Sequence, residues 1–166
     1  MTTMPLPSKH PAFDSIAQFE RAVLARLSDA RVLRAGERHS WAVYTLGYVI
    51  EMKLKSAYFR LRGLKETDET TGTRTEAVGH AKQLGMAKLG GHNLVFWLQM
   101  IINERQAASR SLPCEFASEA MVRVSQVAKH WDTEMRYRDA VKAAGEVREV
   151  AFAASWLLQN ERVLWG

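Results

Sequence analysis

Two oppositely charged residues inside an apolar segment give the first indication of chemistry. The stretch YTLGYVIEMKLK, residues 44–55, contains Glu51, Lys53 and Lys55 in strongly apolar surroundings. On a helix, Glu51 and Lys55 have the i,i+4 spacing and orientation that favour an ion pair. The same helical stripe carries aromatic and basic residues, namely Tyr44, Tyr48, Tyr58 and Arg62. A stripe of this kind is suited to line a groove or an interface.

The same stripe has a structural interpretation, in which a surface ion pair is covered by flat tyrosine rings. A neighbouring stripe of the helix is wholly aliphatic and is predicted to face the core: Val43, Leu46, Ile50, Leu54, Ala57 and Leu61. Because an unpaired buried charge is unfavourable, the charged pair beside this stripe must be hydrated or fully paired. The spacing alone leaves both interpretations open.

The elements that position these residues are predicted to be helices. Apolar periodicity favours main helices at about residues 14–34, 39–62, 93–110, 118–130 and 143–164, and a short helix at about 75–89. Residues 63–79 are polar and rich in threonine and glycine, which predicts a long surface loop. Residues 131–140 are predicted to be a connector. No strand pattern is present, and the prediction is an all-α, up-and-down bundle of four to five main helices.

Length and composition limit the class of protein. The 166 residues favour a single domain at residues 14–166, preceded by a flexible tail at residues 1–13. The single cysteine excludes an intrachain disulfide, and no apolar run is long enough to span a bilayer, which predicts a cytoplasmic protein without a membrane partner. The net charge of +5 is compatible with an anionic partner such as RNA or a nucleotide. The histidines lack zinc-site spacing and no phosphate loop occurs, and we therefore expect no metal and no cofactor.

Three short elements resemble the HEPN domain family. The segment YTLGYVIEMKLKSAY resembles the signature of the family's second helix through Gly47, Tyr48, Glu51, Leu54 and Lys55. GHNL resembles the element that opens the next long helix through His92, Asn93 and Leu94. WDTEMRY resembles the element before the last helix through Trp131, Arg136 and Tyr137. The elements occur in the family's order, and the resemblance covers about residues 14–164.

The resemblance implies an HEPN-like bundle that is commonly homodimeric. Many members are metal-independent endoribonucleases of toxin–antitoxin or defence systems, and others are binding or dimerisation modules beside a nucleotidyltransferase. We expect a non-catalytic binding module for a nucleotide, RNA or a protein partner. Its predicted site is a polar network, within which Arg136 is a candidate partner of Glu51: Tyr48, Glu51, Lys55, His92, Trp131, Arg136 and Tyr137. The alternatives are an endoribonuclease and a structural dimerisation subunit for a nucleotidyltransferase.

The ribonuclease alternative depends on the family's motif of an arginine followed by a histidine after four to six residues. Three segments have this spacing: Arg34–His39, Arg74–His80 and Arg123–His130. The last is the best placed, although Val124 stands where the family usually has a polar residue. In RNA cleavage a histidine would activate the 2′-hydroxyl and an arginine would stabilise the phosphorane charge. The predicted catalytic residues are therefore His130 with Arg123 or Arg136. The structural alternative for His130 is a solvent-facing helix end.

Overall fold

All regular structure in the described part of the chain is helical. The computed structural model describes residues 14–83, 92–137 and 141–165. In chain order the elements are α1 (Ile16–Ala35), α2 (His39–Leu61), α3 (Thr71–Gln83), α4 (Leu94–Ala107), α5 (Cys114–His130), a 3₁₀ turn (Thr133–Tyr137), α6 (Ala144–Gln159) and α7 (Glu161–Trp165). The predicted all-α bundle is confirmed. The tail predicted at residues 1–13 lies outside the described residues.

Local signals in the sequence set several helix ends. Ser15 begins α1 with a reciprocal capping box, in which its Oγ accepts from the Gln18 amide at 3.3 Å and Gln18 Oε1 accepts from the Ser15 amide at 2.8 Å. Asn93 Oδ1 caps α4 by accepting from the Phe96 amide at 3.0 Å. After α2, Gly63 has φ +84°, a left-handed conformation that favours glycine. These ends agree with the predicted ones.

The polar segment after α2 is more helical than its composition predicts. Helix α3 begins at Thr71, about four residues before the short helix predicted at about 75–89, and the predicted loop is therefore wrong from residue 71 onward. Two small apolar residues with i,i+4 spacing, Ala77 and Ala81, are buried in the core and anchor this helix. Thr70, which precedes α3, is buried, and its amide and hydroxyl both donate to the Asp14 carbonyl at 3.1 Å. The predicted end of this helix near residue 89 lies outside the described residues.

The boundaries of the last helices also differ from the prediction. Helix α5 begins at Cys114 rather than near residue 118, directly after Pro113, whose missing amide hydrogen is not needed at a helix start. The helix predicted at 143–164 is two helices, which are interrupted at Asn160. Asn160 Nδ2 donates to the Trp156 carbonyl at 2.8 Å. The side chain thereby competes with backbone amides for this carbonyl at the break between the helices.

Helix α2 is the central element of the bundle. It packs against α1, α4 and α6, while α5 packs between α4 and α6. The predicted aliphatic stripe is confirmed, because five of its residues are buried and Leu61 is partly buried: Val43, Leu46, Ile50, Leu54 and Ala57. The buried apolar side chains of the described helices form one cluster. Polar groups on α2 therefore have to be paired inside the protein.

Lys53, which stands between Glu51 and Lys55 on α2, connects three helices. Its Nζ lies 2.6 Å from Glu20 Oε2 on α1 and 2.8 Å from Glu161 Oε2 on α7. Arg60 Nη1 reaches the other oxygen of Glu20 at 3.1 Å. Burial raises the pKa of Glu20, but the hydrogen bonds from Lys53 and Arg60 outweigh it and lower the pKa below its usual value. Lys53 therefore has a structural role.

Candidate functional site

Glu51 and Lys55 form a buried ion pair. Lys55 Nζ donates to Glu51 Oε1 one helical turn away, and the two residues are only 7% and 2% exposed respectively. The ammonium group also lies 5.6 Å from the centroid of the Trp97 ring, in a cation–π contact. The interpretation as a surface ion pair is therefore wrong. The pair is held in a fixed position within the bundle.

His92, from a distant part of the chain, is a second partner of the Glu51 carboxylate. Its Nδ1 lies 2.9 Å from Oε1 and 3.2 Å from Oε2 of Glu51. The imidazole stands one residue before the cap of α4, and its side chain is 59% exposed. The histidine thus joins a buried carboxylate to the protein surface, and it connects the start of α4 to the middle of α2.

Gly47 provides the space in which Trp131 packs against α2. A Cβ atom at residue 47 would lie 2.1 Å from Cγ and Cδ1 of the Trp131 indole and 2.3 Å from its Nε1. The indole Nε1 donates to the Tyr44 carbonyl at 3.0 Å, and Trp131 is 5% exposed. The ring of Tyr48 meets that of Trp131 edge to face at 5.4 Å. Gly47 and Trp131, which belong to the first and the third of the HEPN-like sequence elements, are therefore in direct contact.

An aromatic row follows one face of α2. The rings of Trp41 and Tyr44 lie 5.7 Å apart, and those of Tyr44 and Tyr48 lie 5.0 Å apart. The hydroxyl of Tyr44 donates to that of Tyr48 at 3.4 Å. Burial raises the pKa of Tyr48 to about 12. The row continues to His92, whose ring lies 6.5 Å from that of Tyr48.

The raised tyrosine pKa values predict a loss of stability in alkali. Burial raises the pKa of both Tyr48 and Tyr58 to about 12 from an ordinary value of 10.0. Between these two values the unfolded chain releases protons that the folded protein retains, and deprotonation therefore favours the unfolded state. We expect the free energy of unfolding to fall as the pH rises from about 10 to about 12. Urea unfolding across this range tests the prediction. Tyr58→Phe should flatten the decline, whereas the exposed control Tyr137→Phe should keep it.

A groove lies between the start of α2 and the 3₁₀ turn, with a volume of about 380 Å³. Its described lining combines aromatic and basic side chains: Arg38, His39, Trp41, Tyr44, Arg136 and Tyr137, together with Glu37, Ser40, Met135 and Val141. The guanidinium carbon of Arg136 lies 4.7 Å from the centroid of the Tyr137 ring. Trp41 is 44% exposed and Tyr137 is 77% exposed. Large aromatic surfaces are therefore open to solvent beside cations.

The structure divides the predicted polar network into two parts. Glu51, Lys55 and His92 are in direct contact at the middle of α2, whereas Arg136 and Tyr137 line the groove at its start. Tyr48 and Trp131 belong to the aromatic packing that connects the two parts. The predicted pairing of Arg136 with Glu51 is wrong for the described residues, because the carboxylate is occupied by Lys55 and His92.

The residues of the ribonuclease alternative are held in separate polar networks. His130 is 7% exposed, with Nδ1 3.1 Å from Glu146 Oε1 and Nε2 2.9 Å from Glu149 Oε2. The hydrogen bond to His130 lowers the pKa of Glu149. Arg123 donates to Gln126 Oε1 at 3.1 Å and pairs with Glu119. The interpretation of His130 as a solvent-facing helix end is wrong.

The other two arginine–histidine segments lie elsewhere. Arg34 and His39 stand on either side of the turn between α1 and α2, and Arg74 and His80 are exposed on α3. His39 lines the groove at the start of α2, whereas Arg34 lines a different cavity beside α6. Neither segment joins His130 in a common site.

The sequence patterns did not predict several residues to line these two surfaces. Arg38 and Trp41 line the groove, and Arg74 and Lys82 line a basic cavity beside His92. The spacing of Trp41, Tyr44 and Tyr48 at i, i+3 and i+7 is a signal that extends the aromatic row to the start of α2. Arg74 was identified only by its spacing to His80, because the polar composition around it predicted a loop up to the short helix at about 75–89.

Comparisons of the chain with protein-family models, with curated proteins and with solved structures found no match. The assignment to the HEPN family therefore stays a prediction that rests on the three sequence elements. No helix within residues 14–83, 92–137 and 141–165 is long and apolar enough to cross a membrane.

Proposed function

We propose that this protein is a non-catalytic, HEPN-like binding module that binds single-stranded RNA in the groove between α2 and the 3₁₀ turn. The observation that carries the proposal is the exposed Tyr137 ring beside the Arg136 guanidinium, in a groove that also contains Trp41. Proteins bind single-stranded nucleic acids by stacking bases on aromatic rings and pairing phosphates with cations. This groove offers both kinds of group within one surface.

The charge of the groove supports an anionic ligand. Its described lining has two arginines, Arg38 and Arg136, and one carboxylate, Glu37. The chain as a whole carries a net charge of +5. Guanidinium groups pair with phosphate through parallel hydrogen bonds and also stack on bases, and they are therefore better suited to RNA than ammonium groups.

Hydrogen bonds between α2 and the connector hold the groove in shape. Trp131 Nε1 donates to the Tyr44 carbonyl at 3.0 Å on one side of the 3₁₀ turn. On the other side, the Lys142 amide donates to Ser40 Oγ at 3.0 Å. The two contacts attach both ends of the connector to the same helix. A preformed groove reduces the ordering of protein side chains that accompanies binding.

The surroundings of His130 support the non-catalytic form of the proposal. Both ring nitrogens of His130 are engaged by carboxylates, because Nδ1 lies 3.1 Å from Glu146 Oε1 and Nε2 lies 2.9 Å from Glu149 Oε2. A general base needs a free ring nitrogen within hydrogen-bond reach of the 2′-hydroxyl, and the buried His130 offers none while these contacts persist. We therefore expect RNA to stay intact when it is incubated with the protein and EDTA. Cleavage that disappears in His130→Ala would establish the ribonuclease alternative instead.

The binding test is a titration of a fluorescent, 5′-hydroxyl, single-stranded RNA, measured by anisotropy. Tyr137→Ala removes one stacking surface, and stacking of a base contributes about 1–3 kcal/mol, which corresponds to a loss of affinity of about 5- to 150-fold. Arg136→Gln should weaken binding and reduce its dependence on salt. The matched controls are Phe152→Ala and Arg148→Gln, an exposed aromatic and an exposed arginine on α6.

Equal losses in the groove variants and the controls would contradict RNA binding at this groove, as would the absence of binding by the wild type. Full competition by a mononucleotide would identify a nucleotide as the ligand. The expected homodimer, the dimerisation subunit for a nucleotidyltransferase and the cytoplasmic location stay predictions. The molar mass in solution tests the homodimer.

A further inference from the structure

A second, basic cavity lies between α3 and the start of α4. It has a volume of about 480 Å³, and its described lining is Lys55, Arg74, Thr75, Val78, Gly79, Lys82 and His92. We propose that this cavity is a binding site for a phosphate group, separate from the groove at the start of α2. The proposal does not depend on RNA binding in that groove.

The charge of the cavity is the first argument. Its described lining contains two lysines, one arginine and a histidine, but no aspartate or glutamate. Arg74, Val78 and Lys82 follow one another at i, i+4 and i+8, and they therefore share one face of α3. Among the ion pairs between described residues, neither Arg74 nor Lys82 has a carboxylate partner. These two cations are available to an anion.

The fixed position of Lys55 is the second argument. Cations on an exposed helix are common, but here Arg74 and Lys82 share a cavity with an ammonium group that is 7% exposed. Glu51 and the Trp97 ring hold this group, which reduces the side-chain entropy lost on binding. An ammonium group has three donors, and one is used by Glu51. The remaining donors can serve a ligand in the cavity.

The chemistry of these groups favours phosphate over a carboxylate. A phosphate group has three or more acceptor oxygens and a charge close to −2. It can therefore accept hydrogen bonds from donors on several helices at once. Lys55 comes from α2, Arg74 and Lys82 come from α3, and His92 comes from the start of α4. The phosphate could be a free small anion or the terminal phosphate of a nucleic acid. Both sources present the same chemistry to the cavity.

The cavity and the groove are separate along α2. Trp41 lines the groove and Lys55 lines the cavity, and their separation of 14 positions corresponds to about 21 Å of helix. Substitutions in one site therefore leave the side chains of the other in place. Failure of phosphate binding and failure of RNA binding can be distinguished by separate titrations.

The test is a calorimetric titration of the full chain with inorganic phosphate at low ionic strength. We expect a saturable heat for the wild type and about tenfold weaker binding for both Arg74→Gln and Lys82→Gln, because each loses a charge-assisted hydrogen bond. Both residues are exposed on α3, and melting curves should confirm that the variants are folded. Arg148→Gln and Lys129→Gln are matched controls on α6 and α5 and should bind phosphate as the wild type does.

The absence of saturable heat would overturn the proposal. Equal weakening in the cavity variants and the controls would also overturn it, because that result indicates a general effect of net charge. A second titration compares 5′-phosphorylated with 5′-hydroxyl RNA. A preference for the phosphorylated RNA that Arg74→Gln abolishes would support the site and identify the ligand as a terminal phosphate. Phosphate binding without such a preference would support the site with a free phosphate as its ligand.

Discussion

Glu51→Ala is expected to lower the free energy of unfolding by about 3–5 kcal/mol, the usual effect of removing one partner from a buried ion pair. The substitution leaves the Lys55 ammonium group buried without its carboxylate. It also removes the carboxylate that His92 contacts, and thereby the link between α2 and the start of α4. The expected loss is a large fraction of the stability of a typical domain of this size. Urea unfolding followed by circular dichroism measures it.

The matched control is Glu119→Ala. Glu119 and Arg123 form another glutamate–cation pair with i,i+4 spacing, but the Glu119 side chain is 40% exposed. Because its carboxylate is exposed to solvent, this pair should contribute less than a buried pair, about 1 kcal/mol. A loss for Glu51→Ala that is no larger than the loss for Glu119→Ala would contradict the burial of the pair.

A double variant that replaces both partners separates the effect of the charges on stability from the effect of side-chain packing. In the double variant Glu51→Leu with Lys55→Met, no charge is left unpaired, and buried ion pairs replaced by apolar residues often lose little stability. We expect this variant to be more stable than Glu51→Ala alone. It should also bind inorganic phosphate more weakly than the wild type, because the cavity beside α3 loses its ammonium group.

Gly47→Ala is expected to lower the free energy of unfolding by about 3 kcal/mol. This is the upper end of the usual loss of stability when a core is overpacked, because the substitution displaces a large aromatic residue. The added methyl group would lie 2.1 Å from two atoms of the Trp131 indole. The indole must therefore move and lose its hydrogen bond to the Tyr44 carbonyl. Because Trp131 begins the connector that carries Tyr137, the variant should also bind RNA more weakly.

Thermal unfolding of Gly47→Ala and of a glycine control tests this prediction. Gly79 lies within α3, and nothing is within 4 Å of a Cβ built there. Gly79→Ala should therefore raise stability by up to about 1 kcal/mol through helix propensity. The double variant Gly47→Ala with Trp131→Ala should lose less than the sum of the single losses, because the clash is absent. Additive losses would show that the two residues do not interact.

The helices were predictable because their signals are local. Ser15 with Gln18, Asn93 and Gly63 mark helix ends through contacts within a few residues. The aliphatic stripe of α2 is a repeat of 3–4 residues that the sequence displays directly. In α3 the apolar signal was reduced to two alanines in a polar segment, and the polar composition predicted a loop over its first residues.

The candidate site was predictable only where the contacting residues are close together in the sequence. The i,i+4 spacing indicated that Glu51 and Lys55 pair, because both stand on one helix. That the pair is buried follows from the packing of α1, α4 and α6 around α2. The assignment of Arg136 to Glu51 was wrong because sequence order does not show which cation approaches a carboxylate in space.

The sequence by itself determined the helical class, most helix ends and the Glu51–Lys55 pair, since backbone hydrogen bonds and apolar periodicity act over one or two turns. Only the tertiary structure decided that His92 contacts Glu51 across 41 positions of the chain and that the Trp131 indole packs on Gly47. It also separated the predicted network into a groove and a basic cavity. Contacts of this kind depend on how whole helices pack, and packing places residues together according to shape and charge rather than their order in the chain.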